Sequence, residues 1–151
     1  MTIRDVTLRD GLQNQQTVLS IDRKAALHDA LAAAGLEALQ VTSFVSPRRV
    51  PQLADAETLW AQLNDRATVR DALVANMRGY ERAVAAGVGR VELVLALSAT
   101  YHQKNSGRTR EQTLSEYEAL VRRANAEGMT ALDLARRRGD AALMALLQEE
   151  A

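Results

Sequence analysis

Short apolar runs alternate along this chain with longer stretches whose apolar positions recur every three or four residues. That alternation is the signature of βα units, in which a buried parallel strand leads into a helix packed across it. The first run, Thr2 to Leu8, predicts a strand ending at the polar Arg9-Asp10-Gly11. Ser20 is placed to cap a helix whose apolar positions Ala26, Leu27, Ala30, Leu31 and Ala34 share one face, with Gly35 as its stop. Ala38 to Phe44 predicts a second strand, and Pro47 and Pro51 force a loop after it. Asp55 opens a helix bearing Leu59, Trp60 and Leu63. A weaker third strand, Ala72 to Ala75, precedes a helix through Tyr80, Ala83 and Val84 that stops at Gly87. Val91 to Leu97 is the most continuous apolar run, as expected of a buried parallel strand. Thr109 with Gln112 makes a capping box, and Leu114, Tyr117, Val121 and Ala124 line one face of a helix ending near Gly128.

Four βα units therefore occupy residues 1–127, and there the rhythm changes. Thr130 to Arg138 and Asp140 to Gln148 read as two short helices separated by Gly139, where a fifth strand would be due. The expected division is an α/β part, 1–127, and a helix pair, 128–151, packing on it.

Composition narrows the picture. A length of 151 residues with 47% hydrophobic content suits one core, whereas a closed eight-stranded α/β barrel takes about 250 residues. No apolar run approaches the roughly 18 residues that cross a bilayer. Nineteen basic side chains balance 19 acidic ones, so bulk charge predicts neither a nucleic-acid nor a membrane-surface partner. Cysteine is absent, which removes disulfides, thiolate metal sites and cysteine nucleophiles. MTIRDVTLRD lacks the layout of a secretory signal, and the expectation is a soluble, cytoplasmic protein.

In parallel α/β folds, functional groups gather at the carboxyl ends of the strands. Arg9, Asp10 and Gln13 follow the first predicted strand, Thr42, Ser43 and Ser46 the second, and Asn76 the third. Ser98, Thr100, His102, Lys104 and Asn105 follow the fourth. Gln13, Ser43 and Asn76 are the candidate substrate-binding residues. An arginine beside an aspartate at such a place can hold a metal and polarise a carbonyl, or can be an ion-paired loop anchor; the two residues alone favour the anchor.

VTLRDGLQNQ (6 to 15), VTSFVSPRRVPQLADAE (41 to 57), NMRGYERAVAAG (76 to 87) and SATYHQKN (98 to 105) resemble hydroxymethylglutaryl-CoA lyase in order and spacing. The resemblance covers residues 1 to about 127 and implies the first half of a metal-dependent lyase and aldolase barrel: four βα units of a half TIM barrel. Members of that family split hydroxymethylglutaryl-CoA into acetyl-CoA and acetoacetate with a divalent cation. The resemblance implies that Asp10 is the metal-binding aspartate, for Mg2+ or Mn2+, and that Arg9 is the arginine stabilising the enolate oxygen. Gln40 departs from it, standing where these lyases usually carry an acid. The family's two metal-binding histidines and its glycine-rich loop belong to the second barrel half; His28 is expected on a helix surface and His102 in a loop.

EGMTALDLARRRGDAALMALLQ (127 to 148) resembles the helix pair of a terminal ankyrin repeat, with Ala131, Leu132, Leu134, Ala135, Leu143, Leu146 and Leu147 as its apolar seam. Together the resemblances imply a chimera: an engineered or fortuitous fusion of a lyase half-barrel to an ankyrin-like cap, inactive as a monomer and of interest for folding or assembly. The alternative is lyase chemistry in an assembled barrel. Two copies forming a homodimer around a twofold axis would close eight strands.

Overall fold

The structure is a computed structural model that describes residues 3–63 and 68–127. Four parallel strands lie side by side in chain order: β1 (Arg4–Asp5), β2 (Ala38–Ser43), β3 (Val69–Val74) and β4 (Val91–Leu93). Helix α1 (Ile21–Ala33) joins β1 to β2, α2 (Ala56–Gln62) joins β2 to β3, and α3 (Met77–Ala85) joins β3 to β4. Helices α4 (Ala99–Ser106) and α5 (Arg110–Ala126) follow β4. Sequential parallel neighbours joined by helices make this a run of βα units, the order a barrel wall requires.

Local chemistry sets the helix starts. The side chains of Ser20, Asn76, Ser98 and Thr109 accept from Arg23, Gly79, Tyr101 and Gln112 backbone N–H groups, and Thr109 with Gln112 completes the capping box. Leu39, Val41, Ala72, Val74 and Val91 project from the sheet onto Leu59, Trp60, Tyr80, Ala83, Leu120 and Ala124 of the helices, forming one core. Gly79 is required where α3 meets β2, because a Cβ there would lie 2.6 Å from the Phe44 carbonyl oxygen.

Several expectations change. The first strand is only Arg4–Asp5, and Thr7–Gly11 forms a wide helical turn. The Asp5 carboxylate takes the Thr7 N–H at 2.8 Å and the Thr7 hydroxyl at 3.0 Å, which draws the chain out of the strand. The third strand starts at Val69, earlier than the apolar run suggests, because its Asp71 is buried among ionic partners on the sheet. The fourth stops at Leu93, which pairs with the last residue of β3, and Val94 to Leu97 pair with no strand among the described residues. The carbonyls of Val94 and Leu97 instead accept from the Tyr117 hydroxyl (3.1 Å) and the Arg110 guanidinium (2.7 Å).

The inward face of α1 is the expected one only in part: Leu31 packs against the core and Leu27 is partly buried. Ala26, Ala30 and Ala34 are exposed, whereas Lys24 and His28 are buried. Lys24 can turn inward because its ammonium donates to the Gln52 carbonyl at 2.6 Å and to both Asp55 oxygens at 2.7 and 2.8 Å. His28 is therefore not a helix-surface residue. Nor is His102 in a loop: it is buried on α4, with its Nε2 2.8 Å from the Thr113 hydroxyl. The predicted helix pair, with its ankyrin-like seam, lies outside the described residues. No described helix is long and apolar enough to cross a membrane.

Candidate functional site

The turn after β1 carries Arg9 and Asp10. Backbone N–H groups of Arg9, Asp10 and Gly11 converge on the Val6 carbonyl at 3.1, 2.7 and 3.3 Å, fixing both side chains at the carboxyl end of the sheet. Arg9 Nη1 donates to Asp10 Oδ1 at 2.6 Å, and Arg9 Nε donates to Gln40 Oε1 on β2. The Arg9 side chain is 15% exposed and that of Asp10 53%. The two side chains are thus ion-paired, with the guanidinium largely buried and the carboxylate open to solvent.

Behind Arg9, the face of the sheet opposite the apolar core carries one polar side chain from each strand: Arg4, Gln40, Asp71 and Glu92. Gln40 Nε2 donates to Asp71 Oδ1 at 3.2 Å and to Glu92 Oε2. Arg4 Nη2 donates to the same two oxygens, at 2.5 Å for Asp71. Side chains on four successive strands meet only if the sheet curls, as a barrel wall does. Burial pushes the Asp71 carboxyl above the usual carboxylate range; the Arg4 charge, with hydrogen bonds from Arg4 and Gln40, opposes it, and neighbouring Glu92 adds to the rise. Arg4, Asp71 and Glu92 were not among the sequence candidates, and Gln40 stood out only as a departure from the resemblance. The available signal was a charged or amide residue inside each strand, where a buried parallel strand is normally apolar.

The remaining candidates do not join this group. The Ser43 hydroxyl, buried, donates to the Leu73 carbonyl at 3.2 Å. Asn76 is the N-cap of α3, its Oδ1 accepting from Gly79 N–H at 2.8 Å. Gln13 is partly buried just after the turn. Among the described residues, no group of three or more His, Cys, Asp or Glu side chains could hold a metal ion. With Asp10 engaged by Arg9, these residues do not by themselves form a site for Mg2+ or Mn2+, which needs several oxygen ligands.

Fold and site together define part of a parallel α/β barrel with an arginine–aspartate pair after its first strand. The HMGL-like family matches residues 1–147, and the chain belongs to that family. It is 39% identical over 141 residues to the (R)-citramalyl-CoA lyase of Chloroflexus aurantiacus, covering 86% of this chain and 44% of that protein. It is 36% identical over 129 residues to the mitochondrial hydroxymethylglutaryl-CoA lyase of Macaca fascicularis, covering 85% and 40%. The hydroxymethylglutaryl-CoA lyase structure from Pseudomonas aeruginosa superposes with a TM-score of 0.81 at 32% identity, covering 86% of this chain and 44% of that one. The chain thus spans less than half the length of these relatives.

Proposed function

We propose that this chain supplies the arginine half of a carbon–carbon lyase site acting on the CoA thioester of a branched 3-hydroxy acid, and that the 151-residue chain alone does not turn it over. In such a cleavage the 3-hydroxyl loses its proton, its oxygen becomes a carbonyl, and the electrons of the C2–C3 bond pass into the thioester as an enolate. The enolate then takes up a proton. A fixed cation beside the thioester oxygen stabilises the charge that develops there. The observation that carries the reading is the seating of Arg9: Gln40 and Asp10 hold its guanidinium at the carboxyl end of β1. The names of the relatives support the substrate class. In this reading the base for the hydroxyl proton comes from the other barrel half.

The test is complementation. The chain is expressed alone and with the remaining barrel half of a hydroxymethylglutaryl-CoA lyase, and thioester cleavage is followed. Activity only in the mixture is the expected result; none in a demonstrably assembled mixture would refute it. A second copy is the other candidate for the completing half, because β1 and β4 each pair on one side only among the described residues. Light scattering across a concentration series tests this homodimer, a mass that stays monomeric ruling it out.

The change of rhythm after Gly128 favours a second reading for the tail: an ankyrin-like hairpin serving as apolar cover, in a chimera. The family match runs through residue 147, across this segment, and argues against it. Truncation after Glu127 tests whether the tail is a cover. A cover predicts increased binding of a hydrophobic dye, and unchanged dye binding excludes one.

A further inference from the structure

Arg9 donates through Nε to Gln40 Oε1. A glutamine amide can present either its oxygen or its nitrogen, and turned over it would set N–H against N–H and release the guanidinium. The atoms on its far side determine the outcome. Gln40 Nε2 faces Asp71 Oδ1 and Glu92 Oε2, and ionised carboxylates only accept. Guanidinium groups only donate. One orientation of the amide satisfies every partner: nitrogen toward the acids, oxygen toward Arg9. Arg4 Nη2 bonds both acid oxygens and so holds the two carboxylates together behind the amide. Gln40, Asp71 and Glu92 are each at most 1% exposed, so water does not substitute for these partners.

We propose that Asp71 and Glu92, clamped by Arg4, are positioning residues for Arg9 and act on it through the Gln40 amide. They touch no reacting atom in this scheme; they fix the polarity of the glutamine, and the glutamine fixes the guanidinium. The significance for catalysis rests on the role proposed for Arg9, but the geometry is tested without activity.

The readout is solvent exchange of the Arg9 Nε–H in nitrogen-15 spectra of the 151-residue chain, assigned by its loss in Arg9→Lys. Slow exchange is expected in the parent chain. Gln40→Leu and the double variant Asp71→Asn/Glu92→Gln should each speed it about tenfold, the loss of one charge-assisted hydrogen bond. Val74→Ala opens the core on the other face of the sheet and should leave the exchange unchanged. The relay is overturned if Gln40→Leu speeds exchange and the double variant does not. It is equally overturned if Val74→Ala has the same effect as the double variant, since a loosened fold would then suffice. Should circular dichroism show the double variant unfolded, Glu92→Gln alone is judged by the same criterion. An inactive complemented assembly leaves this readout intact and counts against the lyase reading alone, whereas unlinked exchange in an active assembly counts against the relay alone.

Discussion

The Lys24–Asp55 pair gives an asymmetric prediction. Lys24 is 1% exposed at its side chain and Asp55 is 22% exposed. Removing Asp55 with Asp55→Ala strands an ammonium that water does not reach, with the Gln52 carbonyl at 2.6 Å as its remaining acceptor. An uncompensated buried charge of this kind costs about 3–4 kcal/mol. Removing the cation with Lys24→Met keeps a side chain of similar length in the same space, and the carboxylate left behind can hydrate. The loss is then one charged hydrogen-bond set, about 1–2 kcal/mol. In the double variant nothing charged is left unpaired, so its cost should fall well below the sum of the singles, with a coupling of about 2 kcal/mol. Urea denaturation followed by circular dichroism measures all three. Equal costs for the two single variants, or additivity in the double, would refute the reasoning, because either would mean that Lys24 is hydrated.

Three further outcomes are expected. Gly79→Ala places a methyl group 2.6 Å from the Phe44 carbonyl and should destabilise the chain; the backbone must move, at a cost of about 1–3 kcal/mol, read as a lower thermal midpoint. Asp71 is raised above its unfolded value, so its contribution to stability is fully present below the unfolded value and is lost as pH rises through the folded one. The penalty of Asp71→Asn should therefore be largest below about pH 4 and shrink as pH rises through the raised folded value, checked by urea midpoints at several pH values. Mn2+ titrated into the isolated chain should give no saturable heat, since Asp10 is open to solvent and paired with Arg9; saturable binding lost in Asp10→Asn would contradict this.

The βα order was legible because strand and helix patterns alternate cleanly, and the caps at Ser20 and Thr109 stand where a side-chain oxygen can reach an unpaired N–H. Arg9 and Asp10 were legible as the polar end of an apolar run. The buried polar network was not. Arg4 and Glu92 sit inside predicted strands and Asp71 just before one, but nothing local shows that they meet: their partners are up to 88 positions away along the chain. The same blindness shifted the inner face of α1, where alanines at helical spacing were expected inside although of that set Leu31 packs on the core. Lys24 takes that face because a carboxylate and a carbonyl from residues 52 and 55 satisfy its charge. Leu95 to Leu97 show the converse: apolar character alone does not extend a strand beyond its last neighbour.

The most direct measurement is the cleavage rate of the complemented assembly with Arg9 replaced. Arg9→Gln removes the fixed cation but keeps a polar side chain. The account predicts a fall in kcat of about 10²–10³, as for loss of a preorganised charge-stabilising donor, with little change in KM. An unchanged kcat would contradict it and reduce Arg9 and Asp10 to a loop anchor.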